Sequence, residues 1–166
     1  LKKIKLLDDP ILRQVCIEVP HNMDINNIIK EMHEAMVDEK GIGIAANQLG
    51  YSYRIFLLKS SQEPGYEVFV NPEIISSKDE VDFEGEGCLS IPGTSSTTRR
   101  FNALVLKWKD NDSKINERLF EGIDAFAVQH EMDHLNGKLY IDQFGQTKRQ
   151  LIVSRHKKFL RRSSRR

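Results

Sequence analysis

Apolar residues in the stretch "DINNIIKEMHEAMVDEKG" fall at Ile25, Ile28, Ile29, Met32 and Met36, a spacing close to one turn of helix. Asp24 stands where a carboxylate can cap the first turn, and Gly41 lies just past the last apolar position, so a helix is predicted between them. The pattern then changes. "RIFLL" (54–58), "YEVFVN" (66–71) and "ALVLKWKD" (103–110) are short, rich in β-branched and aromatic residues and partly alternating, with turn-forming residues between them. These read as strands. Cys16, in "RQVCIEVP", is expected in an additional early strand as a small core residue. Helical spacing returns in "IDAFAVQHEMDHLNG" (123–137), where Ile123, Phe126, Ala127, His130 and His134 share a face and Gly137 ends the run. A last helix is predicted over about residues 147–161, with Leu151, Ile152, Phe159 and Leu160 on one side among basic residues. Helices and strands segregated in this way predict an α+β fold. The 166 residues suit a single domain, 1–166, with a basic C-terminal helix and tail at about 147–166.

Composition narrows the class. With 39% hydrophobic and 30% charged residues the chain reads as globular, and two cysteines, Cys16 and Cys88, are too few for a disulfide framework. The basic start of "LKKIKLLDDPIL" is interrupted by Asp8, Asp9 and Pro10 before a signal-like apolar run develops, and no stretch has the length of a membrane span. A cytoplasmic location without a membrane partner is therefore expected. The net charge of +1 conceals a division: residues 143–166 hold nine basic residues and no acidic one, while residues 1–142 hold 16 basic and 24 acidic. Such asymmetry fits a polyanionic partner as well as a solvated, frayed end. Phe159 is the sole aromatic within 147–166, so sequence-specific nucleic-acid recognition is not expected.

Chemistry concentrates in "HEMDH". On a helix His130 and His134 are neighbours on one face, their Nε2 atoms can converge on one cation, and Glu131 points beside it toward water. The competing reading is two surface histidines, but Phe126, Ala127 and Leu135 make the helix look buried, and buried imidazoles need partners. Tyr140 stands where a metzincin would need its third histidine, and no glutamate follows His134 to complete a thermolysin-like site. Asp142 remains as a minor downstream candidate. Upstream stand Cys16, Cys88, His21, His33 and various carboxylates, of which His21 and His33 read as ordinary, partly exposed histidines. Cys88 lies in the glycine-flanked "FEGEGCLSIPG", and a thiolate with two imidazoles leaves a fourth position open to water, as catalytic sites require. "GIGIAANQ" lacks the last glycine of a dinucleotide fingerprint and no Gly-Lys-Ser/Thr follows, so nucleotide binding is not expected there.

In order along the chain, "GIGIAANQ" (41–48), "EGCLS" (86–90) and "QHEMDHLNG" (129–137) resemble the three motifs of the peptide deformylases. These metal-dependent hydrolases remove the formyl group from the N-terminal formyl-methionine of nascent polypeptides. The likeness extends from "LLDDPILRQVC" to "KRQ" in the last segment. It implies a mixed α+β fold in which the histidine-bearing helix packs within several small antiparallel sheets. It also implies that Cys88, His130 and His134 hold one divalent metal ion, Fe(2+) first, with Zn(2+), Ni(2+) or Co(2+) as substitutes. By the same resemblance Glu131 serves as base and then acid, while the Gln48 amide and the Leu89 N–H join the metal in stabilising the oxyanion. Ile42 and Gly43 on one side, with Gly87 and Leu89 on the other, would pair with the substrate as an added strand. Ile123, Phe126 and Ala127 are the candidates for the methionine pocket. Arg100 stands about where the family carries a substrate-side arginine, with Arg99 adjacent. Asn47, where many members have proline or threonine, and "GTSSTTRR" depart from the family pattern and bear on the shape of the groove. The implied partners are formyl-methionyl peptides and, because some deformylases dock on the ribosome through a C-terminal helix, the ribosome through residues 148–166. A metallopeptidase would share the metal, the water and Glu131; Cys88 and the Gln48 motif favour the deformylase.

Overall fold

The computed structural model describes residues 2–59 and 65–165; Leu1, residues 60–64 and Arg166, the last residue of the basic tail, lie outside the described residues. Among the described residues three α-helices and five strands form an α+β fold: α1 (Asn26–Asp38), β1 (Gly43–Ala45), β2 (Ile55–Lys59), β3 (Tyr66–Glu86), β4 (Ser96–Lys109), β5 (Ile115–Glu121), α2 (Gly122–Leu135) and α3 (Gln146–Ser163). Each strand pairs antiparallel with the next, in the spatial order β1-β2-β3-β4-β5. Where the resemblance implied several small sheets, the long β3–β4 pair joins the strands into one. Three register shifts, between Val70/Glu73, Ile74/Ser76 and Phe83/Glu86, bend that pair along its length.

The core is built on both faces of β2. Phe56 and Leu58 join Val128, Met132 and Leu135 of α2, together with Phe69, Leu104 and Phe120. Ile55 and Leu57, on the opposite face, join Ile28, Ile29, Met32 and Met36 of α1. The strand is an unbroken apolar run because helices cover both of its faces. A third cluster ties Ile152 of α3 to Ile91, Leu139, Tyr140 and Ile141.

Local signals acted with small displacements. Asp24 Oδ1 accepts from the Asn26 N–H at 2.9 Å as a cap should, although Ile25 holds the capping backbone position. The left-handed residue that ends α1 is Lys40 (φ 54°) rather than Gly41, whose N–H closes onto Met36 O at 2.8 Å. Cys16 is buried as expected, but the early strand is reduced to a single parallel bridge between Ile17 and Tyr53. Neither β1 nor β5 was anticipated, nor was the outer half of β3, whose mostly polar sequence is held by pairing with β4. Among the described residues no helix is long and apolar enough to cross a membrane.

Candidate active site

The C-terminal end of α2 is anchored through its last carbonyls, which have no partners within the helix. Asn47 Nδ2 donates to His134 O at 2.7 Å, while the Cys16 N–H and Arg54 Nη1 donate to Leu135 O at 2.9 and 3.1 Å. Gln129 clamps the middle of the helix to β4 by donating to Phe101 O at 2.8 Å and accepting from Phe101 N at 2.9 Å. These contacts fix the turn carrying His130, Glu131 and His134.

Cys88, which follows β3, meets that turn. Cys88 Sγ lies 3.2 Å from His134 Nε2, and one donor atom from each of Cys88, His130 and His134 falls within 4.8 Å of the others. A tetrahedral ion with the usual Zn–N and Zn–S bond lengths needs its donors roughly 3.3–3.6 Å apart. The thiol and two imidazoles therefore fit a divalent cation, with a fourth position left for water or substrate. Among the described residues this is the only group of three or more potential ligands so arranged.

Support for the cluster comes from β3 and β4. His130 Nδ1 donates to Glu86 Oε1 at 2.7 Å, which leaves Nε2 free to ligate. Glu86 is gripped in turn by Arg100 through Nε at 3.0 Å and Nη2 at 2.5 Å, and by the Thr98 hydroxyl. Arg100 Nη1 also reaches Asp133 Oδ2 at 2.7 Å. Burial alone would raise the Glu86 carboxyl, but the hydrogen bonds from His130 and Arg100 outweigh it and hold the pKa at about 2. Desolvation holds His134 well below the ordinary histidine value, in the neutral form that can ligate. Desolvation also opposes charge on His130, yet hydrogen bonds to Cys88 and Glu86 raise it well above that value.

Beside the cluster opens a cavity of about 350 Å³, lined by Ile42, Gly43, Gln48, Cys88, Leu89 and Glu131, with Phe83, Ile123, Phe126 and Ala127 on the apolar side. Glu131 is buried, its Oε2 has no partner, and desolvation pushes its carboxyl up to about 7. Gly43 makes room for it: a Cβ there would lie 2.5 Å from Glu131 Oε1 and 2.8 Å from Leu58 Cδ2. The Lys59 N–H bonds Ile42 O at 2.7 Å, which makes Gly43–Leu58 a non-hydrogen-bonded pair and turns the Gly43 N–H and C=O toward the open edge of β1. Gln48 is held by two contacts, its Oε1 accepting from the Ala45 N–H at 2.9 Å and its Nε2 donating to Ser90 Oγ at 3.0 Å. Its amide nitrogen thus sits 3.8 Å from Cys88 Sγ. The Leu89 N–H finds no acceptor among the described residues.

Residues 1–150 match the family model for polypeptide deformylase. The chain belongs to the polypeptide deformylase family. A peptide deformylase of Mesorhizobium japonicum is 38% identical over 162 residues, covering 95% of this chain and 92% of its own length. The crystal structure of a peptide deformylase from Legionella pneumophila superposes with a TM-score of 0.94 at 36% identity, covering 100% of this chain and 99% of that one. A deformylase from Synechococcus elongatus, in complex with actinonin, matches with a TM-score of 0.85 at 29% identity over 93% of this chain and 85% of its own. The chain is an enzyme that removes the formyl group from the N-terminus of nascent polypeptides.

Most residues singled out in the deformylase motifs meet at the cavity: Cys88, His130, Glu131, Gln48, Leu89, Ile42, Gly43, Gly87, Ile123, Phe126 and Ala127 all line it or its cluster. Arg100 does not. It was expected on the substrate side, but it is 5% exposed, every donor group of its guanidinium is taken by Glu86 or Asp133, and it supports His130 from behind. Ile42, with its backbone carbonyl engaged by Lys59, offers the groove its exposed side chain. The other ligand candidates lie elsewhere: His33 stacks on Tyr66, Asp142 pairs with Arg13, and Cys16 is in the core. Sequence reasoning missed Glu86, Thr98, Asp133 and Ser90, which hold the ligands and Gln48, and Phe83, whose ring stacks 4.6 Å from that of Phe126. Glu86 and Ser90 stood inside the "EGCLS" motif and Asp133 inside "QHEMDHLNG", the signals available.

Proposed function

We propose that Cys88, His130 and His134 hold ferrous iron in a single catalytic domain spanning residues 1–166, acting in the cytoplasm on formyl-methionyl peptides. The observation that carries this reading is the buried thiol–imidazole cluster beside Glu131, opening on one cavity with the outward-facing backbone of Gly43. Zinc, nickel and cobalt are acceptable to the same donors. A cation held there supplies Lewis acidity toward the formyl oxygen and the attacking water. Glu131, poised with an unpartnered oxygen, takes a proton from that water as it attacks the formyl carbon. The Gln48 amide and the Leu89 N–H donate to the oxygen that gains negative charge. Glu131 then returns the proton to the departing nitrogen, and formate leaves. Gly43 on the edge of β1, with Gly87 and Leu89 opposite, pairs with the extended substrate, and Ile123, Phe126 and Ala127 receive the methionine side chain. Arg100 is left out of this groove. Iron-loaded protein kept under reducing conditions should release formate from formyl-Met-Ala-Ser; a filled metal site without formate release would reject the reading.

The basic outer face of α3 supports ribosome binding. Arg155, Lys157, Lys158, Arg161 and Arg162 are exposed, while Ile152 and His156 face inward. Removing residues 148–166 would strip the inner face as well, so replacing Arg155, Lys158 and Arg162 by glutamate is the cleaner test. Those replacements should weaken ribosome binding and flatten its salt dependence, because each lost phosphate contact removes counterion release. Unchanged co-sedimentation with ribosomes would refute this interaction.

A further inference from the structure

The inner face of α3 has a second relation to the site. His156, buried to 2% exposure, donates from Nδ1 to Pro92 O at 3.0 Å, and one turn later the Phe159 ring lies against Gly93. Gly93 has φ 80°, and a Cβ there would fall 2.3 Å from Phe159 Cγ, so this contact needs a residue without a side chain. Pro92, Gly93 and Thr94 form one rim of the catalytic cavity. Thr94 is held by its own hydroxyl, which contacts Tyr140 OH at 2.7 Å and Ile91 O at 2.9 Å, and its backbone oxygen lies 3.3 Å from where a Cβ on Gly87 would be. Phe159, Gly93, Thr94 and Gly87 therefore lie in succession along this rim.

We infer that Phe159 and His156 of α3 are positioning residues that set the rim facing substrate residues beyond the formyl-methionine. This rests on the proposed pairing of Gly87 with the peptide backbone. Phe159 itself is not among the residues that line the cavity, so loosening the rim is expected to act chiefly on KM. Substrates that occupy only the methionine pocket never reach the rim; longer ones do. The "GTSSTTRR" segment, which departs from the family pattern, acquires a role through its glycine: it admits an α3 side chain where another residue would exclude it.

Phe159 is 41% exposed, so Phe159→Ala removes the brace without emptying the core. With formyl-Met-Ala-Ser the variant should show a KM raised about five-fold at nearly constant kcat, equivalent to one weakened backbone pairing. With formyl-Met amide both constants should match those of the unaltered protein. Phe159→Leu, which keeps an apolar contact, should restore most of the loss, and His156→Gln should reproduce the loss in part. Hydrogen exchange at the Ile91 amide, bonded to Cys88 O at 2.9 Å in the same loop, should quicken in Phe159→Ala. Unchanged KM for the longer peptide, or an equal change for both substrates, would overturn the inference. Failure of the groove reading is seen separately: the unaltered protein would then gain nothing in kcat/KM from the added residues, and exchange at Ile91 alone would decide whether α3 braces the loop.

Discussion

Arg99 and Arg100 are adjacent on β4, and the alternation of the strand gives them different surroundings. Arg99 is half exposed and pairs with Asp82 at 3.0 Å and Glu80 at 3.4 Å along the outside of the β3–β4 ribbon. Arg100 is buried and joins Glu86 and Asp133 behind His130. Both make two ion pairs, but only one set is desolvated, and only that set touches a candidate metal ligand. In water an ion pair is screened and its parts are freely resolvated. Inside the protein, each member depends on the others to offset the cost of leaving water, so their geometry is fixed. The contrast teaches that a count of ion pairs says little here, whereas the position of a pair relative to the cluster says much.

The largest expected effect is that of breaking the inner set. Arg100→Ala should destabilise the fold by about 3–5 kcal/mol, because Glu86 would be left buried and poorly paired. The same change should weaken metal binding by roughly 10–100-fold, because His130 loses the support that orients it. Chemical denaturation and chelator competition measure the two effects; a loss of stability with unaltered metal affinity would separate Arg100 from the site.

The two cysteines extend the comparison. Cys88 borders the cavity, while Cys16 sits in the core, where desolvation raises its thiol to about 11 against an ordinary 9.0, an effect that Arg54 only partly offsets. The folded state thus holds the Cys16 proton more tightly than the unfolded one. Its contribution to stability is full below pH 9 and is lost as pH rises toward 11. Cys16→Ala should flatten that alkaline decline in denaturation curves taken between pH 8 and 11; an identical slope would exclude Cys16 as its source. Arg99→Ala, the smallest of the expected effects, should leave metal affinity and thermal midpoint within experimental scatter, and a drop comparable with that of Arg100→Ala would abolish the contrast.

Sequence alone separated some of these features and not others, for physical reasons. α1, α2 and α3 were legible because the period of each helix is written within its own residues. β1 and β5 were not, since β1 is three residues inside a glycine-rich motif and β5 offers a single buried residue, Phe120. Their partners come from other strands. Cys88, His130, Glu131 and His134 could be picked out by chemical type and motif spacing. Arg100 was misjudged because its orientation depends on where the β3–β4 register shifts fall, and bulges of that kind leave no mark in a short pattern. Glu86 stood in plain view within its motif, but its partners Thr98, Arg100 and His130 lie 12, 14 and 44 residues away, and only the folded chain brings them together.

The central claim is that Glu131 moves the proton at a metal centre it does not itself ligate. Glu131→Gln keeps the size of the side chain and the room made by Gly43, so it separates proton transfer from metal binding. The most direct measurement is formate release from formyl-Met-Ala-Ser by this variant, with bound metal determined in the same sample. The expected result is a full complement of metal with formate release reduced by about 10²–10⁴-fold, the range for loss of a general acid–base group. Formate release near that of the unaltered protein, with metal equally bound, would contradict the account.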